Sequence, residues 1–301
     1  MESVDVVIVG GSHAGLSAAM ALGRLRRSAL VVDAGNPRNK VSNHANNIAG
    51  LDGASPSDLR ARAKEDLKKY ESIRFQAGAV TAVTKLERQF EVTLDSGKQL
   101  CCRKIILAFG VEDRLPKVKG LQELWGGAVF HCPYCHGYEF KDKALGFIGN
   151  GQFAEHMVPM LLNISKNVAL FTQGPSDVST QFVNQLSRHH IKLYEDPIIL
   201  LQSASGILKS VLLSSGTQVK MDGLVVGPQP PLQLGSSIAD QLGCKKDEMG
   251  FIVVGKLGET SIVGVFAAGD IMSMQHSVVG AAATGQMAGS GAVFQLSQED
   301  F

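Results

Sequence analysis

Val4-Asp5-Val6-Val7-Ile8-Val9-Gly10-Gly11-Ser12-His13-Ala14-Gly15 decides the fold. A β-branched run stops at two glycines, as a buried parallel strand does when it turns into a helix. Small apolar residues at helical spacing follow from Gly15 to about Leu25. Ser28-Ala-Leu-Val-Val-Asp33 then reads as a second strand. This makes a β-α-β unit of about 30 residues. The turn nearly matches G-x-G-x-x-G, with Ser12 in the middle place. Gly10 serves the tight turn and Gly15 the close approach of helix to strand. A small residue between them lets a pyrophosphate reach the backbone. The Ser12 hydroxyl can donate to that phosphate, and His13 and Ala14 line the same turn. Asp33, with Ala34 beside it, is placed to meet a ribose hydroxyl. The bland alternative is a glycine-rich turn in another α/β fold.

The same device recurs. Ala144-Leu-Gly-Phe-Ile148 leads into Gly149-Asn150-Gly151-Gln152-Phe153-Ala154, a helical stretch to about Ile164, and a strand at Asn167–Thr172. Gly149, Gly151, Gln152, Phe153 and Thr172 are the expected contacts of a second dinucleotide. The duplication predicts an α/β chain of two Rossmann-type domains, the second inserted into the first. The expected ranges are 1–113 with 244–301, and 114–243, joined by crossings near 111–118 and 228–245. Short strands fill the intervals at 73–109 and 208–226, with Asp95-Ser96-Gly97 as a turn.

Composition agrees with two folded domains in 301 residues. The net charge of +1, from 29 basic and 28 acidic residues, argues against a nucleic-acid binder. Aromatics at 6%, with one Trp, argue against an RNA-stacking platform. No apolar run is long enough to cross a bilayer. The first residues show no basic n-region or apolar h-region, so a cytoplasmic location is expected. Five cysteines are too few for a disulfide scaffold. Cys101, Cys102 and Cys244 read as packing residues, and Cys132 and Cys135 form the single C-x-x-C pair.

Thr260-Ser-Ile-Val-Gly264-Val-Phe266-Ala267-Ala268-Gly269-Asp270 places an acid where a strand ends and a helix begins. An Asp there can hold a ribityl hydroxyl while helix amides face a flavin. This string, the N-terminal turn and Cys132-Pro133-Tyr134-Cys135 together resemble the low-molecular-weight thioredoxin reductases, class II pyridine nucleotide-disulfide oxidoreductases. The resemblance spans essentially the whole chain. It implies FAD in the first domain, contacted by Gly10, Ser12, His13, Ala14, Gly15, Asp33, Ala34, Gly110, Gly269, Asp270, Ser277 and Val278. It also implies a homodimer.

Two thiols separated by two residues can close a small disulfide ring, and a helix N-terminus beside them favours the thiolate. C-x-x-C-H also attaches haem c in exported proteins. A zinc site would need His131 and His136 as further ligands, and a purely structural disulfide is a third alternative. No metal is expected. The resemblance implies that Cys135 faces the flavin and that Cys132 attacks the substrate disulfide. Thioredoxin reductases carry Asp after the second cysteine. Here His136 stands there, a candidate general acid/base near neutral pH.

The second nucleotide motif departs from that family. Leu170-Phe-Thr-Gln-Gly-Pro-Ser176 lacks the basic cluster that grips the NADPH 2′-phosphate, and Arg188, His189 and His190 further on read as a solvated helix face, the alternative being that they reach in. NADPH binding is therefore expected to be weaker or differently arranged. Cys132–Glu139 and this degenerate clamp also resemble the gliotoxin- and holomycin-type dithiol oxidases. The leading expectation is an FAD-dependent thiol-disulfide oxidoreductase, with NADPH reducing a protein disulfide. The alternatives are an oxygen-using dithiol oxidase and a flavin-bearing redox sensor with little turnover. The expected partner is a thioredoxin-like protein or a small dithiol or disulfide. His276 is expected against the flavin or a partner subunit, or else as a buried or capping His. With no added cysteine tail at Phe301, the large reductase type with a second C-terminal redox centre is not expected.

Overall fold

The computed structural model describes residues 2–229 and 232–301. They pack into two compact units. One holds residues 2–40, 55–113 and 232–301, and the other holds 41–54 and 114–229.

In the first unit the chain runs through β1 (Glu2–Val9), α1 (His13–Arg24), β2 (Ala29–Asp33), α2 (Pro56–Leu67), β3 (Ile73–Ala77), β4 (Val80–Lys85), β5 (Phe90–Leu94), β6 (Gln99–Leu107) and β7 (Val111–Glu112). The sheet order is β3-β2-β1-β6-β5-β4. The first four of these strands are parallel, while β5 and β4 return antiparallel. Both faces of β1 are covered, which is why its apolar run does not alternate. One face of α1 buries Ala14, Leu16, Ala18, Ala19 and Leu22.

The second unit contains α3 (Leu121–Leu124), β8 (Val129–Phe130), α4 (Pro133–His136), β9 (Leu145–Ile148), α5 (Gly151–Leu161), β10 (Val168–Phe171), α6 (Thr180–Arg188), β11 (Lys192–Tyr194), β12 (Ile198–Ala204), β13 (Ile207–Leu213), β14 (Gln218–Lys220) and β15 (Gly223–Val226). Its parallel sheet has the order β11-β10-β9-β15-β8, and β12-β13-β14 form a separate antiparallel sheet.

Back in the first unit, β16 (Gln233–Leu234) pairs with β7. The chain then forms α7 (Ile238–Gln241), β17 (Val265–Ala267) and α8 (Val278–Asp300). β17 adds in parallel to the Ile105–Leu107 end of β6.

Residues 232–243 differ from expectation. Ile238 and Ala239 are buried in the first unit's core beside Val83 and Leu100, and Gln241 donates to the Thr81 carbonyl. Residues 41–54 differ in the opposite sense, because Val41 lies against Gly126 in the second unit. Gly126 has φ +85, and a Cβ there would strike the Val41 backbone. Pro230 and Pro231, inside the expected 228–245 crossing, lie outside the described residues. β4 and β14 fall inside the intervals of expected short strands but have no distinct run of their own, and β12 lies outside those intervals; most residues of all three are at least partly exposed, which weakens the apolar signal.

Candidate active site

The first glycine turn lies at the carboxyl ends of β1 and β6, where the strand order reverses and α/β sheets hold their ligands. Gly10, at φ +112, passes so close to Ala108 that a Cβ would enter its carbonyl. A Cβ on Gly15 would enter the Gly10 carbonyl, and one on Gly11 would come within 2.6 Å of Asp33 Cβ. Ser12 occupies the N-cap of α1 without a side-chain capping bond. Asp33 Oδ1 accepts from the Gly35 N–H at 3.0 Å, and Oδ2 accepts from Lys64 Nζ at 3.0 Å. Burial alone would raise this carboxyl, but Gly35 and Lys64 hold it below its ordinary range. Ala34 beside it is exposed. Burial, with help from the Arg60 charge, pulls His13 down to about 4 against the opposing charge of Asp270. His13 is therefore neutral near pH 7, and its buried Nε2 has no protein partner.

β17 delivers Gly269 (φ +81) and Asp270 to the same unit. The Gly269 N–H donates to Thr284 Oγ1 at 3.0 Å. Asp270 is tied down by Arg38, which sequence reading missed. Arg38 forks onto Asp113, with Nε 2.9 Å from Oδ2, and its Nη1 reaches Asp270 Oδ2 at 3.1 Å and His276 Nδ1 at 2.7 Å. A guanidinium only donates, so His276 Nδ1 is the acceptor. Its Nε2–H then donates to the Asp270 carbonyl at 3.1 Å. This fixes a neutral tautomer, consistent with burial lowering the imidazole's proton affinity. Ser277 caps α8 by accepting from the Gly280 N–H at 2.9 Å, and Val278 begins that helix. Gly110 has φ +71, and its carbonyl accepts from Gly235 N–H at 2.9 Å.

In the second unit Cys132 and Cys135 are joined by a disulfide, with Cα atoms 5.2 Å apart. Cys132 is the N-cap of α4, and its carbonyl accepts from the N–H groups of Cys135 and His136 at 3.1 and 3.2 Å. The His136 ring stacks on Phe130 at 5.5 Å. Its Nε2 lies 3.2 Å from Ser42 Oγ, while its buried Nδ1 has no partner. Burial lowers its proton affinity, Glu139 opposes that and His44 adds to it. Asn46 Nδ2 donates to the Cys135 carbonyl at 2.8 Å and to Glu139 Oε1 at 3.1 Å. Tyr134 and Tyr138 are 70% and 79% exposed, leaving an aromatic surface open around the pair. Ser42 and Asn46 carry no motif, and nothing in the sequence places them here.

The second glycine turn opens on a cleft of about 510 Å³ lined by Gly149, Asn150, Phe153, Thr172 and Gln173. Lys117 is the cation among its lining residues. Asn150 Oδ1 accepts from Gly151 and Asp177 N–H groups at 2.9 and 2.8 Å, stitching the turn to the loop after β10. The Thr172 hydroxyl donates inward to Gly174 O at 2.7 Å. Gln152 is exposed at the start of α5. In the loop after β10, Ser176 N–H donates to Glu195 at 2.7 Å and Ser179 N–H donates to Glu155 at 2.6 Å. Two carboxylates thus occupy amides of this loop.

A family profile for the pyridine nucleotide-disulphide oxidoreductases matches residues 4–289. The chain belongs to that family. As an oxidoreductase of this family it is 34% identical to the thioredoxin reductase tcpT of Claviceps purpurea, over 97% of this chain and 94% of the relative. It is 32% identical to the thioredoxin reductase sirT of Leptosphaeria maculans, over 98% and 95%. The crystal structure of HlmI superposes with a TM-score of 0.93 at 32% identity, covering 99% of this chain and 94% of that one. The oxidoreductase is an enzyme of thioredoxin-reductase type, and the family's cofactors are FAD and NADPH. No described helix is long and apolar enough to cross a membrane. Among the described residues no cluster of His, Cys, Asp and Glu is arranged to hold a metal.

Proposed function

We propose that this oxidoreductase chiefly oxidises dithiols to disulfides at Cys132–Cys135, with NADPH only a weak electron donor. The observation that carries this direction is the loop after β10, where Glu155 and Glu195 stand in place of a cationic clamp. The first unit fits FAD. Glycines 10, 11 and 15 leave a cradle that a Cβ would fill, and His13 Nε2 is a buried polar atom waiting for a partner. Gly10, Ser12, His13, Ala14 and Gly15 would hold the pyrophosphate side, and Asp33 with Ala34 the ribose. Gly110, Gly269, Asp270, Ser277 and Val278 would hold the remainder. Bound FAD supplies a two-electron link between the cysteine pair and a terminal acceptor, O2 in this direction.

The protein's own part is thiol chemistry. A substrate thiolate attacks Cys132 Sγ and breaks the Cys132–Cys135 bond, releasing Cys135 as thiolate. The second substrate thiol then displaces Cys132, leaving a substrate disulfide and a reduced pair. His136 moves the protons. The substrate is a small dithiol or a thioredoxin-like protein, met at the Tyr134–Tyr138 surface, and the enzyme works as a cytoplasmic homodimer. The second reading, NADPH-driven disulfide reduction, is favoured by the intact Gly149-Asn150-Gly151 turn and its cleft.

Anaerobic titration followed by the visible spectrum separates them. Oxidase chemistry predicts bleaching by dithiothreitol, recovery in air with peroxide release, and little response to NADPH. Rapid stoichiometric bleaching by NADPH would establish the reductase instead.

A further inference from the structure

Residues 41–54 leave the first unit's sequence only to pack in the second. They close on themselves, with Ala45 and Gly53–Ala54 paired through backbone bonds and Asn47 N–H held by Asp52 at 2.6 Å. The loop is fixed from outside by Val41 against Gly126. It therefore presents Ser42 and Asn46 to α4. Ser42 meets the His136 ring and Asn46 meets the carbonyl of Cys135.

We propose that Ser42 is a positioning residue of the redox centre, holding His136 as the Nε2–H tautomer so that the Nδ1 lone pair takes the thiol proton. The inference rests on His136 serving as acid/base in the proposed function. The geometry supports it in two ways. His136 Nε2 has one neighbour, the Ser42 hydroxyl at 3.2 Å, while Nδ1 is buried with none. The neutral ring carries one N–H, and the acceptor within reach of the ring is the Ser42 hydroxyl at Nε2. The proton therefore belongs on Nε2, donated to Ser42 Oγ, and the lone pair on Nδ1. When the pair is reduced, a Cys S–H bond breaks, Nδ1 gains the proton, and a thiolate and an imidazolium remain. Both imidazolium N–H groups then need acceptors, and Ser42 already serves one of them. The titratable groups that act on the ring are Glu139, which favours the imidazolium, and His44, which opposes it. Asn46 bonds Glu139 and the Cys135 carbonyl together, so the same loop also places the favourable charge.

The test uses the reduced holoenzyme and reads alkylation of Cys132 and Cys135 by iodoacetamide against pH, each cysteine followed by mass spectrometry. This reports the thiolate directly and needs no turnover. In Ser42→Ala the imidazolium loses an acceptor, so the inflection moves to higher pH. Alkylation near pH 7 falls about three- to tenfold, the margin by which the bond from the charged ring to Ser42 exceeds the bond from the neutral ring. Ser42→Thr restores the profile because the hydroxyl returns. An unchanged profile in Ser42→Ala, beside a shifted one in His136→Asn, overturns the role of Ser42 and leaves His136 standing. An unchanged profile in both overturns the acid/base reading of His136 and the inference with it.

Discussion

His13 illustrates how one side chain can be read for both binding and stability. Its folded proton affinity lies near 4, below the ordinary 6.5, and burial is the main cause. As pH falls below about 6.5 the unfolded chain takes up the proton first. The stabilisation from neutral His13 is thus present above that pH and is lost as pH falls toward 4. The lost contribution is on the order of 2 kcal/mol. His13→Asn should therefore lose less Tm than the parent protein between pH 6.5 and 4, and an equal loss would contradict the burial argument. Arg38 is a second case. Its removal in Arg38→Met would leave Asp113 and Asp270 facing one another, each with a side chain about one-fifth exposed. A cost of about 2–3 kcal/mol is expected, measurable as a lower urea midpoint. Cys135→Ser should abolish dithiol oxidation and NADPH-driven reduction alike while the yellow colour remains; measurable turnover in either assay would sink the thiol mechanism. Of these residues, His13 and Cys135 were visible in local motifs. Arg38 was not, because its partners lie far along the chain and only the tertiary fold unites them.

At the scale of elements, the contact of α1 with α8 rests on missing side chains. A Cβ on Gly285 would enter the Ala14 carbonyl, and one on Gly289 would enter Ala18's. Backbone cannot yield as a flexible side chain can, so Gly285→Val must push the helices apart. The expected destabilisation is about 3 kcal/mol, with a fall in FAD retained through purification; a thermal melt and the visible spectrum would check both. The two glycine turns could be read from sequence because strand, turn and helix are contiguous and each has its own period. β4 and the 41–54 loop were not legible for the opposite reason. β4 buries just two of its residues, and the loop has no period at all. The loop's polar residues look like solvent-facing connection until Gly126 and α4 supply their neighbours.

For the whole molecule, the inserted two-domain plan followed from the repeated turn, while its limits did not. A few buried residues, Ile238 and Ala239 chief among them, move the return crossing earlier, and such burial has no sequence marker in a segment this short. In the proposed reading the choice of nucleotide is likewise a property of assembled parts, since Glu155 and Glu195 come from different elements. Replacing Glu195→Gln and Asp177→Arg together keeps the amide acceptor and reverses the local charge. NADPH affinity should rise about tenfold relative to NADH. An unchanged NADPH:NADH ratio of Kd values would show that this loop does not set the choice. The plan of the first unit also has a consequence in time. Its sheet needs β17 beside β6, and its first helix needs α8, yet every strand and helix of the second Rossmann unit is encoded between Leu107 and Val265. At translation rates of about 5–20 residues per second, the N-terminal strands wait roughly ten to thirty seconds for their last partner. The inserted unit, with its cysteine pair and 41–54 loop, is completely synthesised first. A nascent chain can therefore carry a finished redox pair before it has anywhere to bind a flavin.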